Sequence, residues 1–235
     1  MEVKIVFNND VVSDQFTSGW GFSCLVDNRV LFDTGEKAEY LFNNMQNLDI
    51  EIPSIEVVVI SHDHWDHTGG LWELLKEKGG LEIYACPHFS QAFKNKVKKL
   101  KAELIEAEKT IEVRENIFIT GEIVKGYSGI PEQALVVKTS RGITVITGCS
   151  HPGIVRIVEK VKEANLGEKI CLVFGGFHLM NSDKREVRIM VERLKEMEVE
   201  KVGPTHCTGY EAQEIFKEGY ADNFISIKAG QVFEI

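Results

Sequence analysis

Nowhere in this 235-residue sequence does an apolar run approach the roughly 20 residues that cross a bilayer. The segment Met1-Glu2-Val3-Lys4-Ile5-Val6-Phe7 reads as a strand and lacks the long apolar region of a secretory signal. Its five cysteines, Cys24, Cys86, Cys149, Cys171 and Cys207, are odd in number and contain no Cys-x-x-Cys pair. Reduced thiols and a cytoplasmic location are therefore expected, with most of these side chains serving as small core residues. Positive charge is also in deficit. Lys and Arg number 27 against 36 Asp and Glu, a formal net charge of −9, which argues against a nucleic-acid or anionic-membrane surface. There is no repeat, low-complexity tract or linker, so one domain over residues 1–235 is expected.

Against those absences stands one concentrated feature, Ser61-His62-Asp63-His64-Trp65-Asp66-His67-Thr68-Gly69-Gly70. Three of the seven histidines fall within six residues. The β-branched run Val57-Val58-Val59-Ile60 leads into them and reads as a buried strand. The cluster is thus expected on a loop at the C-terminal end of a core strand, where open α/β sheets place ligand sites. Imidazole and carboxylate suit divalent zinc, manganese or iron. If the loop is locally extended, His62 and His64 point the same way, and Asp66 and His67 can face a second ion beyond a bend.

Three further apolar strands end in histidine-bearing turns. They lead to Gly148-Cys149-Ser150-His151, to Gly175-Gly176-Phe177-His178 and to Pro204-Thr205-His206. Six of the seven histidines thus lie at strand ends, a placement that single core histidines would not share. His88, in Cys86-Pro87-His88, stands apart and reads as a loop or cap residue. Hairpins are expected around Asp27-Asn28 and Ser140-Arg141-Gly142. Helices are expected over 36–47, from near Gly69, and over 89–100, 153–164, 184–197 and 210–217, with two closing strands near 223–227 and 231–235. The loop 125–133 is expected either to shape a substrate entrance or simply to connect strands. Spacing alone gives an α/β protein in two halves.

His62-x-His64-x-Asp66-His67 resembles the H-x-H-x-D-H signature of the metallo-β-lactamase fold superfamily, and Phe32-Asp33-Thr34-Gly35 resembles its F-D-T-G turn. The later histidine turns are similar to those of the dihydropteroate-synthase-like, methanopterin-pathway branch. The resemblance implies a four-layer αββα sandwich of two mixed β-sheets with outer helices. It implies that His62, His64 and His151 hold one ion and that Asp66, His67 and His206 hold another. It implies that Asp33 supports the metal loop from beneath. Many relatives carry a bridging aspartate in a T-G-D turn, where this chain has Thr147-Gly148-Cys149. Either Cys149 or His151 could supply the missing group. His151 is favoured because it sits at the approach to the helix beginning at Gly153, leaving Cys149 behind the ligands.

One or two divalent ions are expected, zinc first, with manganese, iron or magnesium as alternatives. The ligand count leaves an open coordination position, where water becomes a nucleophile at neutral pH. Asp66 would ligate or take a proton, and His178 would contact substrate or act as an acid. Helix starts near Gly69 and Gly153 could help to bind a phosphate or carboxylate. The expected activity is metal-dependent hydrolysis of an ester, thioester, lactam or phosphate ester in a small, anionic molecule. The alternatives are a transferase displacing pyrophosphate from a pterin, and a non-hydrolytic iron or redox protein.

Overall fold

The structure is a computed structural model that describes residues 1–124, 129–164 and 168–235. In chain order the first half supplies β1 (Glu2–Phe7), β2 (Ser23–Val26), β3 (Val30–Phe32), helix α1 (Ala38–Asn47), β4 (Val57–Val59) and the short helix α2 (Trp65–Thr68). Helix α3 (Leu71–Glu77), β5 (Glu82–Ala85), α4 (Gln91–Lys99) and β6 (Glu103–Glu106) complete it. The second half supplies β7 (Ile111–Arg114), β8 (Ile117–Ile119), β9 (Leu135–Thr139), β10 (Gly142–Thr147) and α5 (Ile154–Ala164). It continues with β11 (Ile170–Gly176), α6 (Lys184–Glu196), β12 (Lys201–Thr205), α7 (Tyr210–Tyr220) and β13 (Val232–Glu234).

Among the described residues one sheet runs β13-β1-β2-β3-β4-β5-β6 and the other β12-β11-β10-β9-β8-β7. Strands β3 to β6 are parallel, as are β10 to β12, and the remaining pairs are antiparallel. Both sheets are therefore mixed. Alternation along the strands sorts side chains into three apolar layers. In β3, Val30 and Phe32 enter the core between the sheets, while Leu31 faces the helices α1, α3 and α4. In β10, Ile146 faces inward, while Ile143 and Val145 pack under α5 to α7. Helix α5 answers with Ile154, Ile157, Val158 and Val161, a stripe at the i, i+3, i+4, i+7 spacing of one helix face. The result is the αββα sandwich.

The expected turns and most helices form where the sequence places them. Asp27 and Asn28 both take left-handed backbone angles, φ 52° and 55°, as a two-residue hairpin turn with right-handed strand twist requires. Three expectations need correction. The second half of the histidine loop is itself a helical turn, α2, so Asp66 and His67 ride on a helix rather than a bend. Helix α7 runs on to Tyr220, because Ile215, Phe216 and Tyr220 stay buried against the second sheet. Residues 224–229 do not make the strand expected near 223–227. Phe224 bridges to Val202 at the edge of the second sheet, and Ala229 bridges to Val11 beside the first. A segment that crosses between two sheets cannot ladder continuously along either.

Phe174 of β11 is fully buried between the sheets, with ring centroids 6.4 Å from Phe22 and 5.8 Å from Phe233. Phe174→Ala should cost about 3–5 kcal/mol, the range for removing a large core aromatic. A urea midpoint unchanged from wild type would contradict this packing account.

Candidate metal centre

The parallel strands β4, β10, β11 and β12 deliver their C-terminal ends to one edge of the sandwich, and there the six strand-end histidines meet. The ring of His62 lies 4.2 Å from that of His67, 4.6 Å from His64 and 4.7 Å from His151. His67 lies 5.2 Å from His206, and His151 lies 4.3 Å from His178. His88 is elsewhere, 73% exposed and 2.5 Å from Glu122.

Asp33 sets the orientation of the first ligands. It closes β3 in a left-handed conformation, φ 56°. One carboxylate oxygen accepts from the Ser61 amide at 2.7 Å. The other accepts from Ser61 Oγ at 2.7 Å and from His67 Nδ1 at 2.7 Å. With its hydroxyl proton given to Asp33, Ser61 Oγ accepts from His62 Nδ1 at 2.9 Å. His206 Nδ1 donates to Asn9 Oδ1 at 2.9 Å. Three histidines are thus anchored through Nδ1, which turns Nε2 inward; this is how outer hydrogen bonds fix ligand tautomers. His62 Nε2 is buried and has no hydrogen-bond partner. A buried imidazole nitrogen in that state carries an unmet cost unless something occupies the space before it.

The spacing of the donors fits an ion. Tetrahedral zinc with nitrogen or oxygen at about 2.0 Å and sulfur at about 2.3 Å separates its ligand atoms by about 3.3 Å (N···O) and about 3.5 Å (N···S). Asp66 Oδ2 stands 3.3 Å from His206 Nε2 and 3.5 Å from His67 Nε2, and Cys149 Sγ stands 3.3 Å from His67 Nε2. The two N···O distances match the edges of such a site and are long for charge-assisted hydrogen bonds, while the N···S distance also matches an ordinary hydrogen bond to sulfur. Asp66, His67, Cys149 and His206 form one set of donors within 4.8 Å of one another; His62, Cys149 and His151 form a second; Cys149, His178 and Cys207 form a third. His64 packs its half-buried ring edgewise on His62 and His151, 4.6 and 4.9 Å away, but places no nitrogen in these sets. The sulfur of Cys149, expected behind the ligands, belongs to all three of these sets of potential donors.

Charge at the site follows from the same geometry. Burial works against a charged His67, but the carboxylates of Asp33 and Asp66 outweigh it and push its pKa up to about 10. Burial also works against a charged Asp66, yet the imidazoles of His206 and His67 beside it hold its carboxyl well below the usual range. A metal ion held beside His67 would take the place of a proton there.

A model described as a beta-lactamase superfamily domain matches residues 28–151, more than half of the chain. The chain belongs to the metallo-β-lactamase superfamily. The 7,8-dihydropterin-6-methyl-4-(beta-D-ribofuranosyl)-aminobenzene-5′-phosphate synthase of Methanocaldococcus jannaschii is 30% identical over 267 aligned positions, covering 93% of this chain and 91% of that protein. The crystal structure of Tm1679, described as a metal-dependent hydrolase of the beta-lactamase superfamily, superposes with a TM-score of 0.85 at 31% identity, covering 100% and 99% of the two chains. The metallo-β-lactamase fold protein YhfI from Bacillus subtilis shares the fold at a TM-score of 0.72 and 15% identity, over 99% of each chain.

Sequence reasoning overlooked several groups that hold this metallo-β-lactamase site in shape. Glu132 is buried and accepts from three successive amides, Cys149, Ser150 and His151, at 2.9, 2.8 and 2.7 Å. Burial pushes its pKa up to about 7 even against those three amides. The amides of the turn ahead of α5 are therefore filled by a carboxylate of the chain itself. Gln133 beside it donates to the carbonyls of Ile60 and Tyr84 at 2.8 and 3.1 Å. Residues 132–133 of the expected entrance loop thus brace the metal loop; residues 125–128 lie outside the described residues. Gly148 leaves no room for a side chain, since a Cβ there would collide with Ser61 Oγ and stand 2.9 Å from Asp33 Oδ2.

Replacing Asp33 by Asn keeps the shape but removes the acceptor that fixes His67. Metal affinity should drop about 10- to 100-fold, the usual effect of losing an outer partner of a ligand. His88→Ala should leave affinity unchanged. Competition with a chromophoric chelator measures both, and equal affinities in Asp33→Asn and wild type would contradict the assigned role.

Proposed function

We propose that this chain is a metal-dependent hydrolase acting on an ester or phosphate ester of a small, anionic molecule. The carrying observation is the pair of donor sets, Asp66/His67/Cys149/His206 and His62/Cys149/His151, each with its donor atoms within 4.8 Å of one another. A divalent ion held there would polarise the substrate oxygen and lower the pKa of water towards roughly 7. The remaining work falls to side chains. Asp66 stays ionised at neutral pH, so it can serve as an anionic ligand but is a weak base. His178 sits on the exposed rim, in a left-handed conformation with φ 55°. A hydrogen bond with Cys207 raises its pKa above that of an ordinary imidazole, outweighing partial burial. That suits His178 to protonate a leaving group.

A second reading, transfer to a pterin with loss of pyrophosphate, is favoured by two observations. One is the 30% identical synthase. The other is the set of flat side chains on the ligand-bearing segments. The Trp20 ring lies 4.8 Å from that of His206, tilted by 57°, and Trp65 and Tyr210, 62% and 76% exposed, follow His64 and Gly209. Such faces hold planar rings.

Zinc-, manganese- and iron-loaded protein should be assayed on two classes of substrate. One is a panel of carboxylic esters, thioesters, lactams, phosphomonoesters and phosphodiesters; the other is a pterin pyrophosphate with an aromatic amine. Metal-dependent hydrolysis in the first panel, lowered at least ~100-fold by His62→Ala, is the expected outcome. Turnover confined to the pterin pair would replace this reading by the second. Failure of every loaded form on both classes would overturn both.

A further inference from the structure

We propose that the Cys149 thiolate is the shared donor of a two-ion centre, bridging the ion at Asp66/His67/His206 to the ion at His62/His151. This rests on the metal-dependent reading above and specifies how its ions are held. Among the described residues Cys149 alone belongs to both sets. Asp66, the carboxylate in these sets, belongs only to the first, so it offers the His62 side no common ligand. Two dications about 3.5–4 Å apart repel strongly, and an anionic donor between them offsets that repulsion.

The position of the sulfur is fixed from several sides. The Cys149 amide is held by Glu132 at 2.9 Å, and its carbonyl accepts from Cys207 Sγ at 3.6 Å. The tight contact of Gly148 with Ser61 and Asp33 sets the approach of the turn, and Ser150 completes it with φ 63°. The sulfur ends 3.3 Å from His67 Nε2, close to the N···S edge of about 3.5 Å in a tetrahedral zinc site. Independently, His62 Nε2 is fully buried and without a partner in the same donor set as Cys149. On binding, the thiol proton passes to solvent as the metal–sulfur bonds form, and nothing is oxidised or reduced. A thiolate bridge favours zinc, iron or cobalt over magnesium and manganese, which prefer oxygen ligands.

The test uses the full chain, stripped by chelator and kept reduced, titrated with cobalt(II) under anaerobic conditions. A bridging thiolate predicts that the sulfur-to-cobalt charge-transfer band grows with both the first and the second equivalent. Cys149→Ser should abolish the band and weaken both binding steps at least ~10-fold. Cys207→Ser should retain the band and both steps. A band complete at one equivalent, a stoichiometry of one ion, or a band surviving in Cys149→Ser would overturn the bridge. Should Cys149→Ser not fold, X-ray absorption on the wild-type zinc protein decides. A bridge gives about one sulfur per zinc near ~2.3 Å, a terminal cysteine about half that, and a cysteine that is not a ligand gives none. No cobalt or zinc bound at all would instead overturn the metal-dependent reading itself.

Discussion

The buried carboxylate of Asp33 is the constraint on which the site depends. Its two oxygens accept from the Ser61 amide, the Ser61 hydroxyl and His67 Nδ1, all at 2.7 Å. Those three bonds tie the end of β3 to the end of β4 and to α2. Through the Ser61 hydroxyl they also reach His62. One side chain therefore orients a nitrogen in both the Asp66/His67/Cys149/His206 set and the His62/Cys149/His151 set. A charge so deep in the fold is tolerated because each of its near neighbours is a donor. The arrangement stiffens the ligands before any ion arrives, so little ordering remains to be done on binding.

The layers were legible because alternation and helical spacing are local signals. Val57-Val58-Val59 is apolar and Gly142–Thr147 largely so, and both are buried on two faces, as strands covered on both sides are. The α5 stripe could be read in the same way. What could not be read depends on distant parts of the chain. Residues 224–229 carry strand-forming residues, yet they span the gap between the two sheets, and their partners Val202 and Val11 are far away in sequence. The extension of α7 to Tyr220 is held by burial against the second sheet. It leaves no stronger periodic signal than the shorter helix would.

The same division runs through the site. His62, His64, Asp66 and His67 stand in one short stretch, and the turns at His151, His178 and His206 share a visible pattern of apolar strand followed by histidine. The supporting groups share no pattern. Glu132 acts on main-chain amides, Asn9 reaches His206 from the other end of the chain, and Cys207 touches the Cys149 carbonyl. Glutamate on a loop, asparagine after a strand and cysteine beside a histidine are ordinary residues in sequence. A sharper reading could have noticed Glu132-Gln133, a polar pair directly ahead of the apolar run Ala134 to Val137, since polar groups at the mouth of a core strand need partners. For Cys149 the residue was legible and its place was not. Only the convergence of β4, β10 and β12 sets the sulfur among the nitrogens.

The central claim is that four strand ends position these side chains, without further rearrangement, around two ions. Anomalous diffraction from crystals of the zinc-loaded protein, collected on either side of the zinc edge, tests it most directly. The account predicts two peaks about 3.5–4 Å apart, one within about 2.0–2.3 Å of Asp66, His67 and His206, the other at the same range from His62 and His151. A peak near His88 and Glu122 with none at the strand ends, or donor side chains that swing away from their present positions to reach the ions, would contradict it.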